Sequence, residues 1–525
     1  MARAAPQSST YDAIVIGAGH NGLTCATWLA KAGRRVLVVE SRDRVGGMAA
    51  SEEFHPGYRS VGLLHDTTGV RLEVVRALEL ARHGLKVRSC RPSILVLGDG
   101  SGGGPRLLLS GVPAQAAREI SRLSSLDGEA YLKYRAFLDR IGPVLRGFLD
   151  EPPVNLIDIE SAGIWNLMKR ALRVRRLGAK EMMELMRLPP MSVADWLGEW
   201  FETDLLKAAL ALDAVAGTWM GPRSPTSNML LLMHEAAAGP GIEGGGPALA
   251  AALEKAARAA GVEILTEARV ERILVDGAAS PVKGVALSGG AVVSATVVAA
   301  SCDPKQVLLK LLAPGTIPYR LEHRMEGFRA RGTTAQVLLA VKGPVRFAGA
   351  TDDQVEFART GGSLVEIERA FDAVKYRRAS QTPILDIHVP TVSRPELAPT
   401  GGSVVSILVH FAPYDLEGGW DDLQRRALGD RVVAILETQA PGVTAGIVRG
   451  EVLSPADIET RYGVTGGQIH HGEHALDQIL IRPAPECVGY RTPVPGLYLC
   501  GGGSHPGGGL TCQPGTLAAR AILKS

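Results

Sequence analysis

The most constraining feature of the sequence is a glycine-rich turn near the amino terminus. A short apolar run at 11–16 leads into Gly17-Ala18-Gly19-His20-Asn21-Gly22, and a helical pattern covers residues 21–32. A second β-branched segment covers 35–40. A strand, a glycine turn, a helix and a second strand together make a βαβ unit. The sequence therefore predicts an α/β fold whose sheet contains this unit.

The glycines of this turn have the spacing that dinucleotide binding needs. Gly17 allows the tight turn, Gly19 lets the backbone approach a pyrophosphate, and Gly22 lets helix and strand pack closely. The amino terminus of the helix adds partial positive charge. Glu40 ends the second strand about 20 residues on and can accept hydrogen bonds from a ribose hydroxyl. We therefore interpret the turn as a dinucleotide site rather than as a merely structural turn.

Composition excludes several classes of function. The formal net charge is only +3, so there is no global field that would attract nucleic acid. The six cysteines are scattered, without CxxC or zinc-like spacing, which predicts a reducing cytoplasm, no metal site and no dithiol chemistry. The first ten residues have no apolar signal core, and no apolar run is long enough to span a membrane. We expect a cytoplasmic protein that at most lies on a membrane surface.

A length of 525 residues and changes in texture along the chain predict two discontinuous domains. Segments 11–109, 226–309 and 466–525 have α/β patterns and are assigned to a Rossmann-like domain. Segment 110–225 is largely helical, whereas 310–465 mixes β-branched strands with Pro/Gly turns. These two segments are assigned to an α+β substrate domain that carries a helical insertion.

A second glycine motif, Arg44-Val45-Gly46-Gly47, follows Glu40 closely. It resembles the second fingerprint of FAD-containing oxidoreductases related to amine oxidases. Its glycines would let the backbone pass close to a cofactor, and Arg44 would face phosphate. The alternative is a surface turn after a strand.

The carboxyl-terminal region resembles a narrower family. Tyr490-Arg491-Thr492-Pro493 and the glycine-rich stretch 496–509 look like the closing flavin-binding segment of the phytoene-desaturase-like family. That family includes carotenoid desaturases and isomerases, retinol saturases and a less defined group labelled pyridine nucleotide-disulphide oxidoreductase domain proteins, which this chain resembles most. Three further blocks resemble that group: 217–225, 457–459 and 466–473.

The resemblance implies a two-domain flavoprotein that binds FAD non-covalently. The implied cofactor-binding residues are Gly17, Gly19, Gly22, Glu40, Arg44, Gly46, Gly47, Val270, Gly501, Gly502 and Gly515. Among these, Val270 would present backbone groups to the adenine, whereas Gly501, Gly502 and the helix amino terminus near Gly515 would lie beside the flavin. A helix amino terminus there would stabilise the negative charge of reduced flavin.

The catalytic candidates have weaker sequence signals. His505 lies in the glycine-rich loop expected near the flavin, and either acts in catalysis or anchors the loop. His470, His471 and Glu473 form a polar cluster that either borders the substrate or caps turns. Cys512 precedes a predicted helix, and we favour a small buried thiol over a reactive one.

A basic, amphipathic segment at 165–186 contains Trp165 and several methionines. Such a face can lie in a membrane interface and admit apolar substrate. The alternative, which the sequence favours, is a solvated cationic face over a Met-rich core or tunnel wall.

The resemblance and the motifs together predict an FAD-dependent oxidoreductase. We expect it to dehydrogenate an apolar or amphipathic, polyene-like or lipid-like substrate by hydride transfer to FAD, with O₂ or a quinone as electron acceptor. Two alternatives stay open, namely redox-neutral polyene isomerisation by reduced FAD, and non-catalytic binding as in Rab GDP-dissociation inhibitors, which resemble this fold. The intact glycine motifs argue against the non-catalytic binder.

Overall fold

Two seven-stranded sheets form the framework of the computed structural model, which describes residues 10–98, 104–153, 161–350 and 355–525. Most of the amino-terminal segment considered for a signal peptide lies outside these ranges. The strands are β1 (Thr10–Ile16), β2 (Val36–Val39), β3 (Glu53–His55), β4 (Tyr58–Arg59), β5 (Ile94–Leu97), β6 (Arg106–Leu109), β7 (Glu263–Leu265), β8 (Val270–Val275), β9 (Val282–Leu287), β10 (Val292–Ala300), β11 (Thr334–Lys342), β12 (Phe357–Arg359), β13 (Ile384–His388), β14 (Gly402–His410), β15 (Ile447–Leu453) and β16 (Leu497–Leu499).

Helices cover the first sheet and build a separate layer beside the second. They are α1 (His20–Lys31), α2 (Leu72–Ala77), α3 (Pro113–Ser121), α4 (Ser125–Asp150), α5 (Ser161–Arg175), α6 (Ala179–Arg187), α7 (Val193–Trp200), α8 (Asp204–Val215), α9 (Ser227–Ala237), α10 (Gly245–Ala259), α11 (Tyr319–Gly327), α12 (Leu364–Lys375), α13 (Asp422–Gln439), α14 (Val443–Gly446), α15 (Pro455–Tyr462), α16 (Leu476–Ile479) and α17 (Gln513–Ile522). None of the helices in the described ranges is both long and apolar enough to cross a membrane.

The first sheet contains the predicted βαβ unit. Its strand order is β7-β2-β1-β10-β9-β8, and β16 also pairs with β10. Strand β1 lies parallel to both β2 and β10, and all four residues of β2 are buried. Val15 and Val38 pack on one face with α1, α10 and α17, whereas Ile14 and Leu37 pack on the other. Burial on both faces explains the continuous apolar runs that predicted these strands.

The second sheet has the order β15-β11-β14-β13-β12-β5-β6 and is antiparallel except where β12 meets β5. Strands β5 and β6 come from segment 11–109, which the sequence pattern assigns to the first domain. That boundary is wrong at its carboxyl end, because β5 pairs with β12 and β6 pairs with β5 in the second sheet. An apolar run predicts a strand but not its partner, since pairing depends on residues far away in the chain.

The segment predicted to be helical, 110–225, contains α3 to α8. Its core is aromatic: the ring of Tyr134 lies 5.3 Å from those of Trp196 and Phe201 and 5.6 Å from that of Trp200, centroid to centroid. Helices α8 and α9 pack against each other beside the second sheet. This layer therefore closes one side of the space between the two sheets.

Candidate functional site

The first glycine turn is locked by the side chain of Glu40. The backbone N–H groups of Ala18 and Arg42 donate to its two carboxylate oxygens, at 2.8 and 2.9 Å. Gly17 has a φ of +93°, which favours glycine. A Cβ atom on Gly22 would lie 2.0 Å from the carbonyl oxygen of Gly17. Because of these contacts, the turn, the amino terminus of α1 and a buried carboxylate lie next to one another.

The second glycine motif lies directly against the first. Gly46 and Gly47 have φ values of +110° and +56°, and the N–H of Gly46 donates to the carbonyl of Ala18 at 2.8 Å. A Cβ on Gly47 would lie 3.1 Å from the Cα of Gly19. The two motifs, well separated in sequence, therefore form one glycine-lined surface.

The arginine of this motif is placed differently from what the sequence suggests. Arg44 makes a bidentate pair with the neighbouring carboxylate of Asp43 at the surface, with both contacts at 2.8 Å. Arg42 is the more buried arginine, and it bonds the carbonyl of Gly47 and pairs with Glu52. Contact of Arg44 with phosphate stays a prediction.

The predicted adenine position lies beside the predicted ribose position. Val270 begins β8 and is buried. Just before it, the N–H of Ala268 donates to the carbonyl of Glu40 at 2.9 Å. The start of β8 is thereby fixed next to the carboxylate that ends β2.

The carboxyl-terminal glycine loop returns to the same edge of the sheet. A Cβ on Gly501 would lie 2.2 Å from the carbonyl oxygen of Ser301, and one on Gly515 would lie 2.1 Å from that of Asn21. Gly502 lies against another part of the same loop: a Cβ on Gly502 would be 3.2 Å from the Cα atom of Gly508. The predicted flavin-end glycines are therefore packed against α1 and the end of β10.

The thiol of Cys512, at the amino end of α17, is fully buried. Burial raises its pKa to about 12, so the thiol is protonated at neutral pH. This environment agrees with a small buried residue and not with a reactive thiolate.

A cavity of about 360 Å³ lies between the glycine loop, the helical layer and the second sheet. Part of its wall is apolar and includes Leu64, Met233, Ile242, Ile469 and Leu510. Glycine backbone forms another part, at residues 244–245 and 508–509. Six histidines also line it: His65, His234, His388, His410, His470 and His474.

The three predicted catalytic residues are not among the residues that line this cavity in the described structure. Glu473 is buried, and its carboxylate is bonded by Arg331 at 2.6 Å and Arg329 at 3.3 Å. His505 is buried, with its carbonyl accepting from the Tyr490 hydroxyl at 3.2 Å and burial lowering its pKa to about 4. Neither side chain reaches the cavity, and catalytic roles for His505 and Glu473 stay predictions. The Glu473 carboxylate also accepts from the backbone N–H of Arg331 at 3.2 Å, as its alternative role expects. Both ring nitrogens of His505 are buried and have no hydrogen-bond partner among the described residues.

His471 also lies outside the cavity wall. The backbone of His471 has a φ of +58°. Its ring Cδ2 atom lies 3.6 Å from the point that a Cβ atom on Gly502 would occupy. Desolvation lowers the pKa of its ring to about 4. The ring of His471 thus lies against the glycine loop, whereas its neighbour His470 and nearby His474 reach the cavity. A catalytic role for His471 stays a prediction.

Sequence reasoning missed the polar face of the second sheet. Asp386 and His388 on β13, and His410 on β14, line the cavity. They alternate with Ile387 and Val409, which pack into the core on the other face. Isolated polar residues in otherwise apolar strands are the signal that could have found them.

Known proteins are similar to this chain over nearly its whole length. A family model described as an NAD(P)-binding Rossmann-like domain matches residues 15–71. Pyridine nucleotide-disulfide oxidoreductase domain-containing protein 2 of Rattus norvegicus is 33% identical over 547 residues, covering 98% of this chain and 93% of that protein. The chain belongs to the phytoene-desaturase-like family of FAD-dependent oxidoreductases. The protein is therefore an enzyme, and the non-catalytic alternative is set aside.

Other members of this family match along their whole length. A limonene dehydrogenase subunit of Castellaniella defragrans is 30% identical, covering 98% of this chain and 94% of that protein. Phytoene desaturase (lycopene-forming) of a Paracoccus strain is 24% identical, covering 97% and 96% respectively. A solved structure of putrescine oxidase shares the fold with a TM-score of 0.59 and 15% identity, covering 98% of this chain and 100% of the other.

The residues of this flavoprotein fit FAD. A Cβ on Gly19 would find its nearest neighbour, the Ser301 hydroxyl oxygen, only at 3.9 Å, so the surface of the first turn is open where a pyrophosphate must approach. Beside it, the buried side-chain oxygen of Asn21 has no hydrogen-bond partner in the described part of the chain. An open glycine surface at a helix amino terminus, next to a buried carboxylate, has the donors and acceptor that phosphate and ribose need.

Proposed function

We propose that this enzyme dehydrogenates a small apolar or amphipathic organic substrate in the cavity, with O₂ or a quinone as the final electron acceptor. The observation that carries the proposal is the position of the cavity, which the glycine loop at 508–509 and the apolar residues Leu64, Ile242 and Leu510 line together. FAD, when bound, accepts a hydride. A cavity of this size and lining is typical of small-molecule sites.

The two glycine motifs and Glu40 would hold the adenosine and pyrophosphate parts of FAD. The loop containing Gly501 and Gly502 and the amino terminus of α17 would hold the flavin part. Val270 would contact the adenine through its backbone. The apolar wall of the cavity would orient the substrate and exclude water from the reacting atoms.

The names of two relatives support this substrate class. One is part of a limonene dehydrogenase and another is a phytoene desaturase, and limonene and phytoene are both apolar. Dehydrogenation would leave the flavin reduced after a single turnover, whereas isomerisation would require reduced flavin at the start and consume no electrons.

Anaerobic mixing with limonene and geraniol would test the proposal. We expect loss of the oxidised flavin absorbance with at least one of them, at a rate that rises with substrate concentration. Ala237→Phe, which places a large ring in the cavity wall, should abolish the loss, whereas the neighbouring Ala238→Phe, outside that wall, should not. Turnover only after prior reduction of the flavin would favour isomerisation instead.

We also propose peripheral contact with anionic membrane through α5 and α6. Trp165, Met168, Met183 and Met186 are exposed by 55% or more, and basic residues occupy the same helices. The exposure of Met168, Met183 and Met186 supports membrane contact over the alternative of a cationic face that covers a Met-rich core. A reducing, cytoplasmic location fits the six free cysteines.

Sedimentation with lipid vesicles would test this contact. We expect binding to vesicles with about 30% phosphatidylglycerol at roughly tenfold higher affinity than to pure phosphatidylcholine. Replacing Trp165 and Met186 by Ser should remove the binding, whereas Tyr376→Ser, equally exposed elsewhere, should not. Equal sedimentation of the Trp165/Met186 variant would refute the proposal.

A further inference from the structure

Strands β12 to β14 present a chain of charged and polar side chains to the cavity. His410 and Asp386 lie on the same face of neighbouring antiparallel strands, and the Nε2 atom of His410 is 2.9 Å from an Asp386 carboxylate oxygen. Arg359 donates to the other oxygen of Asp386 and to Asp213 on α8, both at 2.8 Å. All four residues line the cavity.

The partners of His410 determine where its proton lies. Although burial opposes ionisation of Asp386, Arg359 and His410 outweigh it and hold the pKa of this carboxyl well below its usual range. A carboxylate can only accept, so Nε2 must carry the hydrogen, and Nδ1 of a neutral ring is then a bare acceptor. The Nδ1 atom of His410 is buried and has no hydrogen-bond partner among the described residues.

The arginines nearest His410 are paired with carboxylates. Arg359 lies between two carboxylates, and Arg88 on the same wall pairs with Glu356 at 2.9 and 3.0 Å. His388 likewise directs Nε2 to Glu356, at 3.4 Å, and its Nδ1 has no partner in the described ranges. The wall therefore offers bare acceptors beside paired cations, which suits a neutral donor and not an anion.

We propose that His410, held by Asp386, accepts a hydrogen bond and then the proton from a hydroxyl group of the substrate, which makes the substrate an amphipathic alcohol. The proposal rests on the dehydrogenase function and narrows its substrate class. The hydroxyl occupies the polar wall, and the hydrocarbon part lies against the apolar residues of the same cavity.

The step balances as the oxidation of an alcohol to a carbonyl compound. The O–H bond of the substrate would break, and its proton would move to Nδ1 of His410. The C–H bond of the carbon that carries this hydroxyl would break at the same time, and its electron pair would leave as hydride to bound FAD. A C=O double bond forms. The imidazolium is stabilised by Asp386 and later releases its proton to water, as in other carboxylate–histidine pairs.

Several other titratable or charged groups surround His410. Asp386 and His388 face it from β13, Arg359 from β12 and Asp213 from α8. His65 and His470 approach from two loops and interact electrostatically with it.

Rapid-mixing measurements on the FAD-loaded enzyme test binding at the hydroxyl site before the flavin is reduced. The probes are geraniol and its methyl ether. Their binding is followed under anaerobic conditions by the change in tryptophan fluorescence of the protein during the first milliseconds after mixing. We expect geraniol to bind roughly tenfold more tightly, as one buried hydrogen bond provides. His410→Phe should remove that preference, whereas His323→Phe, at an exposed histidine outside the cavity wall, should keep it.

Flavin reduction tests the proton transfer. With geraniol, Asp386→Asn should slow anaerobic loss of flavin absorbance by roughly a hundredfold or more. Because the Asn amide would face Nε2 and move the ring hydrogen to Nδ1, geraniol should also bind about tenfold more weakly, whereas the dissociation constant of the ether should change less than about threefold. Each variant must show wild-type circular dichroism and FAD absorbance. Where a variant at 410 or 386 fails this check, His410→Gln replaces it. Its amide can bond both Asp386 and the hydroxyl but cannot accept the proton, so we expect the preference for geraniol to be kept and flavin reduction to be slowed by roughly a hundredfold or more.

The outcomes separate the two levels of the proposal. Equal binding of geraniol and its ether, or an unchanged rate in Asp386→Asn, would overturn the role of His410. If limonene reduces the flavin and geraniol does not, the alcohol class is wrong but the dehydrogenase function stands. If no candidate reduces the flavin of an enzyme that binds FAD, the proposed function itself fails.

Discussion

At the scale of single residues, the glycines of the first turn obey different constraints. A Cβ on Gly22 would meet the Gly17 carbonyl at 2.0 Å, whereas one on Gly19, with a φ of −69°, would have open space around it. We expect Gly22→Ala to lower the unfolding free energy of FAD-free protein by about 1–3 kcal/mol. Gly19→Ala should change it by less than about 0.5 kcal/mol and weaken FAD binding by roughly tenfold or more. Thermal unfolding and FAD titration measure both, and wild-type FAD affinity in Gly19→Ala would place the pyrophosphate elsewhere.

Buried His20 makes stability depend on pH. Burial, with a smaller contribution from His471, lowers its pKa to about 4, against about 6.5 in an unfolded chain. The folded state then binds fewer protons than the unfolded state at acidic pH. Through His20, the free energy of unfolding is therefore at its full value above about pH 6.5 and decreases as the pH falls toward about 4. His20→Gln keeps a donor for the Gly509 carbonyl, at 3.0 Å in the wild type, but cannot titrate.

In urea unfolding, the difference in unfolding free energy between about pH 7.5 and about pH 5 should shrink by about 2 kcal/mol in His20→Gln. The same substitution at His323, whose side chain is 73% exposed, should leave that difference unchanged. A wild-type difference in His20→Gln would mean that His20 is protonated in the folded protein.

At the scale of elements, local signals were predictable from the sequence and long-range pairing was not. The predicted helix at 21–32 and strand at 35–40 agree with α1 and β2 to within one residue at each end, because glycines and apolar periodicity act locally. The sheet to which β5 belongs depends on its pairing with β12, more than 250 residues away. His410 and Asp386 were missed for the same reason, since their contact exists only once β13 pairs with β14.

The loop that supports His470 depends on one buried side chain, Arg482. Its guanidinium donates to the backbone carbonyls of His470, Gly472, Glu473 and Gln478, at 3.0 to 3.3 Å. Burial lowers its pKa to about 10, which still leaves it charged at neutral pH. Because a lysine ammonium cannot reach all four carbonyls, we expect Arg482→Lys to lower the unfolding free energy by about 3 kcal/mol.

Chemical denaturation measures this loss, and the same change at Arg320, whose side chain is 78% exposed, is the matched control. We also expect weaker geraniol binding in Arg482→Lys, since His470 lines the cavity. Stability equal to that of Arg320→Lys would show that water replaces the guanidinium in this loop.

At the scale of the whole molecule, the first sheet supplies the glycine motifs and the second sheet supplies the polar wall of the cavity. The cavity is lined from both sides, by the glycine loop at 508–509 and by β13 and β14. The segments that would hold FAD, 17–47 and 501–515, meet where glycines such as Gly515 pack against α1. Bound FAD would contact both segments and so extend the interface between them.

Removal of FAD should accordingly destabilise the protein and loosen a defined part of it. Mass action alone gives about 2.7 kcal/mol of stabilisation at FAD concentrations about one hundred times the dissociation constant. We expect apoprotein to unfold at a lower temperature, and its backbone amides to exchange hydrogen faster at 17–47 and 501–515 than in the holoenzyme. Exchange in β11 and the core of β14, which pack on the far face of the second sheet, serves as the internal reference. Bound FAD protects the amides that it contacts and those that open together with them. Uniformly faster exchange across both sheets would therefore mean that the apoprotein unfolds globally. Unchanged exchange at 17–47 would contradict the placement of FAD.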